Sequence, residues 1–309
     1  MRVLVTGAGG FVGRNTQRHL LDQTFEVHAV SRSAPCAWAL PGVVPHACDL
    51  LDAAATLALV HTVQPTHLLH LAWYAMPGNF WAATENARWL EASKVLVEAF
   101  VGVGGVRAVI AGTCAEYAWS GEVCTEFVTP LRPATFYGRC KLELHEAVES
   151  LAARTGLSMA WARLFFMYGE HERPGRLVSS VIESLLNHRE VACTEGRQLR
   201  DYMYVDDVAN ALVALLSSTV EGPVNIASGN ARPVGEVVRM IGAVTERSHL
   251  IRWGARPADP GEPDRIEACT RRLNDEVHFS PAFGLESGIR RSVAWWRDAL
   301  ASEAAICRT

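Results

Sequence analysis

With 309 residues the chain is long enough for a core domain and a smaller second lobe. Hydrophobic residues at 49% and charged residues at 20% are ordinary globular values, and a net charge of −4 without a basic tract argues against a nucleic-acid partner. No apolar run has membrane-spanning length, Met1 leads directly into a strand pattern with no room for a signal peptide, and the eight cysteines lack a C-x-x-C pair, so the expectation is a cytoplasmic protein with reduced thiols, no membrane contact and no zinc site.

The chain opens Arg2-Val-Leu-Val-Thr-Gly-Ala-Gly-Gly-Phe-Val-Gly13. A β-branched apolar run, Val3 to Val5, ends in glycines, and Phe11, Val12, Leu20 and Leu21 then follow helical spacing. Gly7 permits the backbone angles of a tight turn, Gly10 leaves room for a diphosphate against the backbone, and Gly13 lets the helix pack closely. Free N–H groups and the positive dipole end of the helix would face the phosphates. Strand, glycine turn and helix in this order predict dinucleotide binding.

Further strand patterns lie at Glu26–Val30, before Asp49, and at His67–Leu71, Arg107–Ala111 and Met159–Phe166, with helical patterns near 11–22, 52–63, 83–101 and 137–154 between them. This alternation predicts an α/β fold, a doubly wound parallel sheet with helices on both faces. His67 and His70 sit on an apolar strand without a third ligand and are read as strand residues, so no metal is expected. Beyond Gly169 the rhythm changes. Helices are expected near 176–187, 206–218, 233–245 and 285–300, strands at Asp201–Val205 and Val224–Ala227, and a Pro-rich loop at Arg256–Pro263.

The Gly7, Gly10 and Gly13 spacing, followed after Gly10 by Phe11, resembles the extended branch of the short-chain dehydrogenase/reductase superfamily, which contains nucleotide-sugar epimerases, dehydratases and ketoreductases. That resemblance implies a Rossmann-type domain over residues 1–170 that binds NAD(P). It implies a smaller C-terminal α/β substrate-binding lobe over 171–309 that grips a nucleotide-diphosphate sugar, with a segment near 201–218 returning to the main sheet. It also implies a homodimer built on the helices near 83–101 and 137–154. At the end of the second strand, Ser31-Arg32 stands where NAD-preferring sites carry an acid. An arginine suits the 2′-phosphate of NADP, so NADP is preferred over NAD. Asp49 and Leu50 match the family's adenine-edge pair, with Asp49 alternatively a helix N-cap. Leu71 and Ala72, in His70-Leu-Ala, match the segment that lies against the cofactor, and Asn86 matches a residue that supports the site.

Tyr137-Gly-Arg-Cys-Lys141 places a phenol and an ammonium on one helix face. The ammonium and an oxidised nicotinamide favour the phenolate, so the Tyr137 pKa is expected below its usual value near 10. Thr113 stands 24 residues before Tyr137, where the superfamily has its catalytic Ser or Thr. Thr113, Tyr137 and Lys141 are therefore the expected catalytic set, with Tyr137 and Lys141 also contacting the cofactor.

Three departures bear on the reaction. The family's 4,6-dehydratases carry Asp-Glu after the catalytic Thr, whereas this chain has Cys114 and Ala115, which rules against dehydration. A family epimerase–reductase uses a Cys two residues after the catalytic hydroxyl. Cys114 is one residue early, and on a strand that shift turns the side chain to the other face. His171 falls where that enzyme has its His and is read as a loop residue contacting substrate. Arg200 and Arg265 are expected to converge on the diphosphate, with Arg176 and Arg197 weaker candidates and an Arg200–Asp201 ion pair the structural alternative. Phe166 replaces the family's usual Asn beside the substrate phosphate. The expected reaction is NADPH-dependent reduction at C4 of a 4-keto-6-deoxy nucleotide sugar. A 4-epimerase, a reductase of a non-nucleotide carbonyl compound and a non-catalytic NADP sensor are the rivals.

Overall fold

The structure is a computed structural model that describes residues 1–32 and 38–306, with side chains described through residue 302. Ser33 and Cys36 lie outside the described residues, as does Cys307.

The elements run β1 (Arg2–Thr6), α1 (Phe11–Asp22), β2 (Glu26–Ser31), β3 (Val43–Ala47), α2 (Ala53–Val63), β4 (His67–His70), α3 (Glu85–Gly102), β5 (Arg107–Thr113), α4 (Phe136–Thr155) and β6 (Ser158–Leu164). These six strands and Gly222–Ile226 form a seven-stranded sheet, every pair parallel, in the order β3-β2-β1-β4-β5-β6 and then Gly222–Ile226. The sheet is buried on both faces. Val3 and Val5 join one core with Leu20, while Leu4 joins the other with Leu68, Leu96 and Leu144, the alternation that a period of two imposes. Helix ends are fixed locally. Asp52 accepts the Ala55 N–H to start α2, Thr135 accepts the Gly138 N–H to start α4, and Gly156 closes α4 in the left-handed region at φ 74°.

The later elements are α5 (Leu177–Leu186), α6 (Val205–Ser217), α7 (Val234–Val244) and α8 (Leu285–Ile306). Helix α6 returns to pack with α1, burying Val208, Leu212 and Leu216 in the same core as Val3 and Val5. The return then continues past residue 218, because Gly222–Ile226 pairs with β6. Val181, Ile182 and Leu185 of α5 meet Val237 and Ile241 of α7 and Ile289 and Val293 of α8 in a separate core. The strand expected over Met159–Phe166 divides at Phe165, and Phe166–Tyr168 pairs instead with Tyr202–Tyr204. Among the described residues no helix is long and apolar enough to cross a membrane, and six cysteines are free.

Candidate active site

Strand order reverses between β1 and β4, and the crevice beyond their carboxyl ends is where open α/β sheets bind ligands. The two strand ends are tied together there. Thr6 Oγ1 accepts the Leu71 and Ala72 N–H groups, both at 3.2 Å, and lies 2.6 Å from His70 Nδ1. His70 Nε2 meets the Ser93 hydroxyl at 2.9 Å, and burial lowers the imidazole to about 3, so it is a neutral tie.

Gly7 takes φ 68°, and the Gly10 N–H donates to Gly7 O at 2.9 Å. A Cβ on Gly13 would lie 2.3 Å from Gly7 O, so only glycine allows the helix to close on the turn. The first-turn N–H groups of α1, on Phe11, Val12 and Gly13, have no partner within the helix. This cradle fits a diphosphate. Beside it Arg14 donates from Nε to Gly9 O at 2.9 Å, a cation that the glycine motif did not single out.

The remaining cofactor candidates surround this cradle. Ser31 ends β2 and Arg32 is exposed just beyond it. Asp49 accepts the Leu51 N–H at 3.1 Å and does not cap α2, because Asp52 occupies that position. Leu50 is 4% exposed and packs in the core with Val60, so it can offer a ligand only its backbone. Leu71 and Ala72 lie at the end of β4 as expected.

Thr113 is the last residue of β5, and Cys114–Glu116 then make one tight helical turn. Thr113 Oγ1 accepts the Ala115 N–H at 3.2 Å, and Glu116 accepts the Thr113 N–H at 2.8 Å. This turn overturns the strand argument for Cys114, since the chain has left the extended conformation before residue 114. The thiol is buried and pushed far above its usual pKa, which makes it a poor proton carrier.

The first turn of α4 rests on residues 114–116, where a Cβ on Gly138 would meet Ala115 O at 2.4 Å. Tyr137 is thereby set beside Thr113, close enough for the threonine side chain to lower the phenol's pKa. The Tyr137 N–H donates to Trp81 O at 3.0 Å. Lys141, one turn later, donates to Ala111 O at 2.8 Å, with Nζ 3.7 Å from the Trp73 ring centroid.

In the free chain desolvation governs both groups. Burial pushes the Tyr137 phenol above its usual value, against the lowering effect of Thr113. Burial also lowers Lys141 to about 7, against the upward pull of Glu116. Desolvation penalises both charged forms once aromatic rings replace water around them.

Behind the trio Glu116 is fully buried. It binds Arg163 Nε at 2.8 Å and Trp161 Nε1 at 3.0 Å, and Arg163 continues to the Tyr117 hydroxyl at 3.1 Å. Asn86 accepts from Trp73 Nε1 at 2.8 Å and donates to Phe80 O at 2.7 Å, the supporting role expected of it.

The substrate-side candidates are only partly gathered. Arg176 lies over the Phe80 ring at 4.9 Å and is close enough to lower the Tyr137 pKa. Phe166 lies beneath the Arg200 guanidinium at 5.6 Å. Arg200 is 3% exposed and pairs with Glu262 at 2.6 Å, not with Asp201, whose carboxylate binds Ser228, Gly229 and Ala268. Arg265 is half-exposed and pairs with Glu267. In the parallel pair of Leu199–Arg200 with Arg265–Ile266, Arg200 faces Ile266 and Arg265 faces Leu199. The two arginines therefore leave opposite faces of the ribbon and do not converge. Arg197 is exposed. His171 stands apart from the trio, its ring 4.8 Å from that of Trp295 and its Nδ1 3.4 Å from Arg14 Nη1.

A doubly wound sheet with a glycine cradle and adjoining Thr, Tyr and Lys defines a nicotinamide-dependent enzyme of the extended short-chain dehydrogenase/reductase type. Residues 3–227 match the NAD dependent epimerase/dehydratase family, and the chain belongs to that family. GDP-6-deoxy-D-mannose reductase of Pseudomonas aeruginosa is 27% identical over 329 residues, 98% of this chain and 99% of that protein. The structure of MoeE5 in complex with UDP-glucose and NAD is 30% identical with a TM-score of 0.84, covering 97% of this chain and 100% of that one. The Thermus thermophilus UDP-glucose 4-epimerase complex with NAD is 26% identical with a TM-score of 0.87 over the same shares.

Proposed function

We propose that this protein reduces the C4 ketone of a 6-deoxy nucleotide-diphosphate sugar, with NADPH as the reductant. NADPH, when bound on the glycine cradle, supplies the hydride to C4. Tyr137 supplies the proton to the carbonyl oxygen, and Thr113 orients that oxygen with its hydroxyl. The observation that carries the reading is the gathering of Thr113, Tyr137 and Lys141 at the carboxyl end of β5, with Gly138 packed on Ala115 O and Lys141 Nζ bonded to Ala111 O. A phenol placed there can give a proton to a carbonyl oxygen. Cys114 and Ala115 lack the carboxylates of a dehydratase, and Arg32 offers a charge partner for a 2′-phosphate.

The lobe after residue 170 receives the nucleotide sugar, and Arg176 is its best-placed cation near the reacting carbon. Arg200 and Arg265 contact phosphate only by exchanging their carboxylate partners Glu262 and Glu267.

A second reading, 4-epimerisation with retained NAD, is favoured by the likeness to the Thermus epimerase bound to NAD. Incubation with NADPH and a panel of 4-keto-6-deoxy nucleotide sugars separates the two. The expected result is NADPH oxidation with at least one of them. Interconversion of C4 epimers without net NADPH loss, on protein that co-purifies with NAD, would replace reduction by epimerisation.

A further inference from the structure

The glycine cradle carries a cation that joins it to the second lobe. Arg14 lies in the first turn of α1, which starts from the N-cap Gly10. Its side chain folds back toward the helix start, where Nε donates to Gly9 O at 2.9 Å. Nη1 reaches out to the second lobe and lies 3.4 Å from His171 Nδ1. The guanidinium is partly exposed, and among the described residues no carboxylate pairs with it. That separates it from Arg200 and Arg265, whose charges are taken up by Glu262 and Glu267. Glu170, next to His171, is turned instead to the Tyr204 hydroxyl, which donates to it.

His171 is held firmly in place. Its φ of 67° lies in the left-handed region that side chains rarely adopt. Its ring stands edge-on to Trp295 of α8 at 4.8 Å, and Asn15 Nδ2 of α1 donates to Glu170 O at 3.4 Å. A guanidinium can only donate, so Nδ1 accepts and the imidazole is neutral. Burial first, and the Arg14 charge second, keep the His171 pKa below its usual value. A neutral partner fixes the guanidinium without cancelling its charge, which a carboxylate would do. The side of the crevice matters too. His171 follows β6, which lies on the β4-β5 side of β1, whereas Arg32 lies just past the end of β2 on the opposite side. Arg14 is therefore drawn away from Arg32, over the turn and the first N–H groups of α1.

We propose that Arg14 binds the diphosphate of the dinucleotide and that His171, reaching in from the second lobe, positions it there. The proposal rests on the glycine turn as the dinucleotide site and is independent of the choice between reduction and epimerisation. The N–H groups of Phe11, Val12 and Gly13 present only the partial charge of a helix start. Arg14 adds a full charge beside them, on a planar fork suited to phosphate oxygens. His171 thereby has a role away from the sugar, in aligning a cofactor ligand, and the lobe that receives the substrate also helps to hold the dinucleotide.

The test is binding, read by titration calorimetry with ADP-ribose, NADH and NADPH. ADP-ribose carries the diphosphate but neither the nicotinamide nor the 2′-phosphate. Arg14→Gln is expected to weaken all three by about tenfold, the size of a lost hydrogen bond to a charged group. A loss of less than threefold overturns the proposal, and so does a loss confined to NADPH, which would assign Arg14 to the 2′-phosphate. Arg14→Lys keeps the cation and guards against an effect on folding. It is expected to bind ADP-ribose more tightly than Arg14→Gln at the same Tm, and equal affinities of the two variants overturn the role of the charge. His171→Ala is expected to weaken ADP-ribose binding about threefold in the unmodified protein and not at all in Arg14→Gln, as for two residues acting through one contact. His171→Asn, which tolerates the left-handed backbone and keeps an acceptor, is expected to restore the affinity. Additive losses, or no rescue by asparagine, overturn the positioning role of His171. Absence of ADP-ribose binding in the unmodified protein overturns the dinucleotide reading of the cradle instead.

Discussion

On the proposed reading, Tyr137→Phe is expected to remove NADPH-dependent turnover, by about 10³-fold or more, while the protein keeps its fold and its affinity for the dinucleotide. A positioned proton donor contributes on the order of 10²–10⁴ to such a step. The loss belongs at the upper end because the residues around the reacting oxygen offer no ready substitute. Thr113 carries only a hydroxyl, a far weaker acid, the Lys141 ammonium is turned to Ala111 O, and Cys114 is buried with its proton held tightly. The phenylalanine keeps the ring that packs edge-on to Trp73, Phe80 and Trp81, so the pocket keeps its shape. The check is kcat/KM together with dinucleotide binding on the same preparation. A variant that keeps more than about a tenth of the activity would show that the proton comes from elsewhere, well outside the usual contribution of a general acid.

Glu116→Ala costs stability rather than chemistry alone. Glu116 and Arg163 are 0% and 1% exposed, and their ion pair is 2.8 Å long. Removing one partner of such a pair strands the other charge in the interior, at about 3–5 kcal/mol. The loss is compounded here, because the Thr113 and Trp161 N–H groups give up an acceptor in the same step. Thermal unfolding should fall by about 10 °C, scaling from roughly 2–4 °C per kcal/mol for a chain of this size class. Residual turnover should fall further than the folded fraction accounts for, since Glu116 holds the backbone of Thr113. Glu116→Gln keeps an acceptor and should lose less. A Tm within about 2 °C of the unmodified protein in Glu116→Ala would show that the buried pair stabilises nothing.

The parts of this site that sequence displayed are those fixed by local spacing. Val3 to Val5, the glycines and the helix after them lie within one supersecondary unit, so pattern alone specifies strand, turn and helix. Tyr137 and Lys141 share a face because a helix repeats near four residues. What sequence did not display depends on contacts between distant segments. Spacing places Lys141 one turn from Tyr137, but it does not show that rings from residues 73, 80 and 81 surround the phenol and that desolvation raises its pKa in the free chain. Arg200 and Arg265 carried the right chemistry for phosphate. Their carboxylate partners and the strand register that points them apart appear only once Leu199–Arg200 is laid beside Arg265–Ile266. Glu116 and Arg163 were passed over for the same reason. Thr113-x-x-Glu116 has the spacing of a capping box, but the pairing of Glu116 with Arg163 arises only when β6 pairs with β5.

The most direct measurement follows the hydrogen itself. The protein is supplied with a 4-keto nucleotide sugar and with NADPH deuterated on one face of the nicotinamide, then on the other. One of the two preparations should place a single deuterium on C4 of the product for each NADPH oxidised, with the proton on the new hydroxyl drawn from solvent through Tyr137. A product that carries no deuterium from either preparation, or C4 epimers that exchange while NADPH is untouched, would contradict the reduction proposed for Thr113 and Tyr137.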